Sequence, residues 1–467
     1  MARKTNTTLK NGMVERSMRE ATHQTFTRVA SPYSRVMASF WAQETNRRLV
    51  HMKHKFILAL GLVAAAGFSV SAQAQDRCGM SNGKKATGEP IQIGAIVGKT
   101  GPEDFSSAAR SAEAYFKCVN ANGGINGRPV NYTVQDDTWN PEVAAQAASK
   151  LVKDTKVVGM VGSTSFVECG ANNKLYEQEG VAVVAGVGVP RACFYGKNYA
   201  PFNQGPRQST ISAAMYSADT FKLKNITCIA PGIPGFGDWV CGGVESWGKA
   251  NGVAVKQVIF DPGQLDGNAI VLQAQASKPD GIVLGMPRGM MLPILTAAEQ
   301  QDMGKSIKWG LPTSAYHTEM PKAAGKYWDG KLYVHMELEP LDKDGADTKN
   351  WLAVMAKYGN KKDPIDSFSQ AGYLSAQVAT NAMLGIKGDI DRKAFLNAAR
   401  GIKNVKTDML CAPWYFGEGE RHQANHNGRV ALLTGGGFKL QTAKCFQAKD
   451  ADLADILAYE AKTGVAK

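Results

Sequence analysis

The sequence predicts an α/β protein built from two doubly wound parallel-sheet lobes joined by a multi-crossover hinge. Three observations carry this. Short, continuously apolar runs alternate with segments of helical period, which is the pattern of strands buried on both faces by crossover helices. A Gly- and Pro-rich break near residues 196–210 interrupts the rhythm before it resumes. A later block of helical segments follows a second break, so the chain returns to its first lobe after building the second.

In chain order, the runs Ile91–Val97, Val130–Val134, Val157–Val161 and Val181–Val184 read as the strands of the first lobe. Between them "PEVAAQAASKLV" places Val143, Ala144, Ala147, Ala148, Leu151 and Val152 on one helical face, with Pro141 at a helix start. The second lobe reads from "NITCIA", "AVKQVIF", "GIVLGM" and Leu332–His335, with helices around Trp239–Ala250 and Met290–Asp302. After "ELEPLDKDGADTKN", helical patterns at Trp351–Lys357 and Phe368–Leu384 precede a less regular Gly-rich tail. The expected division is residues 75–200 plus 341–430 for the first lobe, 201–340 for the second, and 431–467 as a C-terminal segment.

The stretch before this domain has a different character. From Met52, "MKHKFILALGLVAAAGFSVSAQAQ" carries two lysines, an apolar core and a terminal Ala-Gln-Ala. That is a secretory signal peptide over residues 52–74, with cleavage expected after Ala74 and a periplasmic product. Residues 1–51 hold nine Lys/Arg against three Asp/Glu without a sustained apolar period, and read as an upstream extension ahead of the true start at Met52. Of the formal net charge of +13, those two segments supply +6 and +2, leaving about +5 on the exported chain. So small an excess gives no reason to expect nucleic acid as a partner.

All eight cysteines lie beyond the cleavage point. An even number in an exported chain favours disulfides. Sequential pairing is expected, Cys78–Cys118, Cys169–Cys193, Cys228–Cys241 and Cys411–Cys445, each closing a local loop. With the thiols scattered and no Cys-x-x-Cys, no metal site and no cofactor are expected. His422 and His426, four apart in "HQANH", are flanked by turn-forming residues and read as a solvated loop.

Several motifs invite chemistry. "GAIVGKTGP" fails the phosphate-loop spacing, because Gly94 leaves only three residues before Gly98; it reads as a tight loop at the end of the first strand. Asp136 and Asp137 in "VQDDTWNP" read as a helix cap and binders of loop amides, with an acid–base pair as the rival. In "VVGMVGSTSFVEC" the hydroxyls of Ser163, Thr164 and Ser165 follow a strand. They lack the Gly-x-Ser-x-Gly elbow and any histidine in a triad context, so a cradle for a carboxylate is expected in place of a nucleophile, with a plain helix N-cap as the alternative that reads the same from sequence. No catalytic residue is therefore assigned; a secreted serine hydrolase using Ser163 or Ser165 is the rival from another class.

These residues, in this order, resemble the periplasmic solute-binding proteins of the branched-chain amino-acid, or leucine-binding, type that feed ABC importers. The resemblance runs from about Pro90 to Val430 and is carried by "IQIGAIVGKTGP", "NANGGINGRPVNYTVQDDTWNP", "VVGMVGSTS", "YEQEGVAVV" and "PGFGDW". It implies two lobes with three hinge crossovers, a type I periplasmic binding protein fold, closing on a small carboxylate or amino-acid ligand and delivering it to ABC permease subunits. Carried over by position, the ligand loops become Ser163–Phe166 and Val187, Gly188 and Val189, with Thr100 after the first strand. Phe236 and Asp238 face them from the second lobe, together with Thr313 and Tyr316. Val189 and Thr313 stand where the family often has a hydroxyl and an acid to hold an ammonium. A buried ammonium without an acceptor is costly. The expected ligand is therefore a carboxylate with an apolar or aromatic body, in a cleft drawn from Phe166, Phe236, Trp239, Met286, Tyr316 and Trp414, about half of them ordinary core. Arg191 and Arg288 are spare anion contacts. A true branched-chain amino-acid binder, using Asp104 or Asp238 for the ammonium, is the rival within the family.

Overall fold

A computed structural model describes residues 77–467; the expected signal peptide and upstream extension lie outside them. The first sheet comprises β1 (Ile91–Val97), β2 (Val130–Asp136), β3 (Gly159–Val161), β4 (Thr164–Ser165), β5 (Val183–Ala185), β6 (Val187–Gly188) and β7 (Tyr199–Pro201). All its pairings are parallel. Strand β4 continues the row of β3, and β6 that of β5, so the rows run β2–β1–β3–β5–β7. Helix α1 (Ser107–Ala121) covers one face, while α2 (Pro141–Ser149) and α3 (Glu168–Gln178) cover the other.

The second lobe begins at α4 (Pro206–Phe221). It alternates β8 (Asn225–Pro231), α5 (Gly237–Asn251), β9 (Ala254–Phe260), α6 (Gly267–Gln275), β10 (Gly281–Leu284), α7 (Arg288–Gln300), β11 (Lys308–Leu311), the short α8 (Met320–Ala324) and β12 (Leu332–Met336). Its parallel rows, β9–β8–β10–β11–β12, repeat the order of the first lobe. The chain then returns: α9 (Ala346–Tyr358), α10 (Ser367–Leu384) and α11 (Arg392–Arg400) pack on the first lobe, α10 lying against α1 and β5. The last strands, β13 (Asn427–Thr434), β14 (Gly437–Leu440) and β15 (Phe446–Gln447), join the second sheet antiparallel, and α12 (Ala454–Thr463) closes the chain against Tyr415.

Two expected boundaries move. Strand β7 lies inside the stretch read as a break; it sits at the sheet edge, where Pro201 is tolerated. The line drawn at residue 430 cuts through β13, whose alternating burial belongs to the second sheet, so 427–447 is second-lobe strand and not a separate tail.

The lobes are joined at three crossings, near 202–205, 337–339 and 425–427, and buried polar groups tie these strands together. Glu337 accepts the amides of Gln204 at 3.0 Å and Gly205 at 3.1 Å, while the Asn425 amide donates to Phe202 O and Glu337 O. Gly205 has φ of 88°, a backbone state that glycine adopts without cost. Burial pushes the Glu337 carboxyl up to about 8.

Four disulfides close Cys78–Cys118, Cys169–Cys193, Cys228–Cys241 and Cys411–Cys445, the nearest-neighbour set. His422 and His426 are buried, contrary to the solvated-loop reading. The His422 ring nitrogens contact Phe416 O and Lys197 O, and His426 meets Glu460 at 3.0 Å. Irregular chain here is covered by α12, which sequence spacing alone does not reveal.

Candidate functional site

In sheets of this strand order, ligands bind at the carboxyl ends of the strands, where the order reverses. In each lobe that point lies between the first strand and its two neighbours, and the two carboxyl edges face each other. Between them lies a chamber of about 730 Å³ that continues into a smaller apolar compartment of about 40 Å³. Phe105, Thr313, Ser314 and Phe368 border both.

The apolar compartment is walled by rings from both lobes. Phe166, just past β4, packs on Phe236, just before α5, with centroids 4.9 Å apart. Phe105 stacks on Phe166 at 5.6 Å and meets Phe368 edge-on at 6.0 Å. Val187, Val189 and Met286 complete the wall. The chamber is charged. Arg288, opening α7, faces Glu103 of the other lobe at 3.3 Å, and the Gly289 amide donates to the same carboxylate at 2.9 Å. His317 faces Asp366, the N-cap of α10, at 3.5 Å; Ser107 and the Ser369 amide also donate to Asp366. Burial raises both carboxyls, with these partners pulling against it, and burial lowers His317. Thr313 and Ser367 hydroxyls meet across the cleft at 3.5 Å.

Phe166, Val187, Gly188, Val189, Phe236, Thr313 and Tyr316 thus come together at the cleft. The hydroxyls do not. Ser165 Oγ accepts the Val167 and Glu168 amides and donates to Asp137. Ser163 Oγ accepts the Ile96 amide and donates to Glu168, whose fully buried carboxyl is raised to about 8. Thr164 is buried in the sheet away from both cavities. Each serine's acidic partner is a carboxyl, and among the described residues no imidazole contacts either. The expected cradle is therefore consumed internally, because the Ser165 hydroxyl at the strand end takes up the Val167 and Glu168 amides where α3 begins.

Thr100 and Asp238 are exposed and outside both cavities. Thr100 bonds Asp136 at 2.5 Å. Asp238 sits on the outer face of α5's first turn. Asp104 lines the chamber but is paired with Arg110 at 2.7 Å. Of the other aromatic candidates, Trp414 stacks in the core on Phe202 at 4.1 Å, and Trp239 packs near Phe194. Arg191 is exposed over Tyr195. Phe105, Phe368, Glu103, His317 and Asp366 went unforeseen; their signal was position, since each sits beside a helix start or just after a strand.

The closest grouping of possible metal ligands among the described residues is Glu339, Cys411 and Cys445, and both thiols are spent in a disulfide. Among the described residues no helix is long and apolar enough to cross a membrane.

Comparison with known proteins agrees with this architecture. A family model described as "Periplasmic binding protein" matches residues 90–437. An amino acid binding protein of Pseudomonas aeruginosa is 23% identical over 311 residues, 64% of this chain and 80% of the relative. The leucine-specific-binding protein of Salmonella typhimurium is 26% identical over 306 residues, 62% of this chain and 77% of the relative. Among solved structures, a solute-binding protein of an ABC transporter from Rhodopseudomonas palustris HaA2, in complex with p-hydroxybenzoic acid, superposes with a TM-score of 0.66 at 18% identity, covering 79% of this chain and 100% of that one. A leucine-binding protein from Thermotoga maritima gives 0.63 at 18% identity, covering 76% and 99%. With two sheets of matching order, three crossings and a family model spanning most of its length, the chain belongs to the periplasmic binding protein family.

Proposed function

We propose that this chain is the exported, periplasmic receptor of an ABC importer for a small carboxylate with an apolar, aromatic body, which it hands to permease subunits at the inner membrane. One observation carries the reading: Phe105, Phe166, Phe236 and Phe368, drawn from both lobes, enclose an apolar compartment that opens at Thr313 into a chamber holding Arg288 and His317. A planar ring would lie in the chamber against the rings that border both spaces, Phe105 and Phe368, with its carboxylate toward Arg288 and His317. Because Phe166 and Phe236 belong to opposite lobes, ring burial favours the closed arrangement, which is how hinged receptors couple ligand to docking. The same fold holds p-hydroxybenzoic acid in the Rhodopseudomonas palustris protein, so it accommodates an aromatic acid.

Glu103 and Asp366 support a second reading, a branched-chain amino acid whose ammonium would meet a carboxylate. These pairings engage the cationic and the acidic groups alike, and the phenylalanine-lined wall drawn from both lobes is what favours the first. Titration calorimetry with benzoate, 4-hydroxybenzoate and leucine separates them. Micromolar or tighter aromatic-acid binding with weak leucine binding is expected; the reverse order sinks the proposal.

A further inference from the structure

The turn between β2 and α2 is unusual. Thr138 and Trp139 both hold left-handed backbone, with φ of 52° and 60°, although neither is glycine and tryptophan is bulky there. Two carboxylates hold it. Asp136 accepts the amides of Thr138, Lys99 and Thr100; Asp137, fully buried, accepts the Trp139 amide at 2.9 Å through one oxygen and the Ser165 hydroxyl through the other. The "GKTG" loop is moulded round the indole: a Cβ on Gly98 or Gly101 would lie 2.9 Å or 2.5 Å from its ring atoms. The indole in turn stacks on Phe166 at 4.6 Å and 19°, and on Phe105 at 5.2 Å. One carboxylate therefore fixes both the backing ring, Trp139, and the loop that carries the lining ring, Phe166.

We propose that Asp137 is the positioning residue, and Trp139 the backing plate, that hold Phe166 in the plane a flat aromatic ligand requires, so that this turn sets the preference for planar over branched apolar acids. The assignment rests on the aromatic-acid reading above. Without the Asp137 bridge, the strained turn relaxes toward ordinary backbone, the indole leaves Phe166, and that ring regains rotamer freedom. A branched aliphatic body, which needs volume more than a flat wall, is affected little.

The test uses the purified protein and its Asp137→Asn, Trp139→Ala, Trp139→Phe and Ser165→Ala variants, each checked for a cooperative thermal transition. Asparagine can still accept the Trp139 amide but offers the Ser165 hydroxyl no acceptor. Asp137→Asn and Trp139→Ala should each weaken benzoate binding at least tenfold in calorimetry and leucine binding less than threefold, with Trp139→Phe within threefold of wild type for both. Equal losses for both probes, or unchanged benzoate binding in folded Asp137→Asn, overturn the proposal. If Asp137→Asn does not fold, Ser165→Ala is held to the same criteria. Should wild type bind neither probe, the ligand reading fails on its own. The positioning is then judged by the near-ultraviolet circular dichroism of the stacked indole, taken as wild type minus Trp139→Phe. That band must collapse in Asp137→Asn or Ser165→Ala, and its persistence refutes the role.

Discussion

Glu103 of the first lobe and Arg288 of the second meet across the mouth of the cleft at 3.3 Å, and the Glu103 carboxyl is nevertheless raised, because burial costs it more than the guanidinium returns. Such a pair adds little net stability, yet removing one partner strands the other. Arg288→Ala should therefore leave the fold intact and weaken ligand binding about tenfold, roughly 1.4 kcal/mol, by making closure less favourable. The loss should shrink at acidic pH, where Glu103 protonates and needs no partner. Calorimetry at pH 5 and pH 8 measures both effects.

Glu168 makes stability depend on pH in a defined direction. Its folded pKa of about 8 lies above the ordinary 4.5, so the folded state holds a proton that the unfolded chain gives up. The contribution is complete below 4.5 and is lost as pH rises toward 8, at up to roughly 1.4 kcal/mol per pH unit. Glu168→Gln should flatten the alkaline fall in denaturant midpoint between pH 5 and 8. An unchanged slope would place the proton elsewhere, with Glu337 as the next candidate.

Cys228–Cys241 ties β8 to α5 across a sequence separation of 13. A loop of that size restrains the unfolded chain by about 3 kcal/mol. Replacing both cysteines by serine should lower unfolding free energy by an amount of that order. The bridge lies away from the cavities, so ligand affinity at 25 °C should hold.

Thr100 and Asp238 provide a contrast. Both are exposed and border neither cavity, so Asp238→Ala should change stability by less than about 0.5 kcal/mol and leave binding of benzoate and leucine untouched. Phe166→Ala, by contrast, removes a buried ring shared with Phe105, Trp139 and Phe236 and should cost about 3 kcal/mol of stability as well as aromatic-acid binding. Thermal melts and calorimetry on the two variants side by side check both statements.

The strand rhythm was legible because runs such as Ile91–Val97 are apolar apart from the half-buried Gln92 and are buried on both faces. Strand β7 escaped because three residues ending in proline resemble a loop, and β13 because irregular chain separates it from the lobe it rejoins. At the cleft, Phe166 and Phe236 were placed by the family resemblance. The direction of Ser163 and Ser165 could not be placed, since a hydroxyl after a strand reads the same whether it points at a ligand or at its own helix. His317 and Asp366 meet only because the chain crosses the hinge, and no local pattern joins residues from opposite lobes.

The four disulfides join each cysteine to the next one along the chain. A polypeptide threaded through a membrane from its N-terminus presents its thiols in that same order. If the chain is exported as proposed, an oxidant meeting the thiols as they emerge would find each correct partner before a wrong one could compete, and the native set would form without reshuffling. The final pair, Cys411–Cys445, closes over β13, so this bridge can form only after nearly the whole chain has crossed. It spans the return from the first lobe to the second, and when it closes every strand but β15 has already been made available.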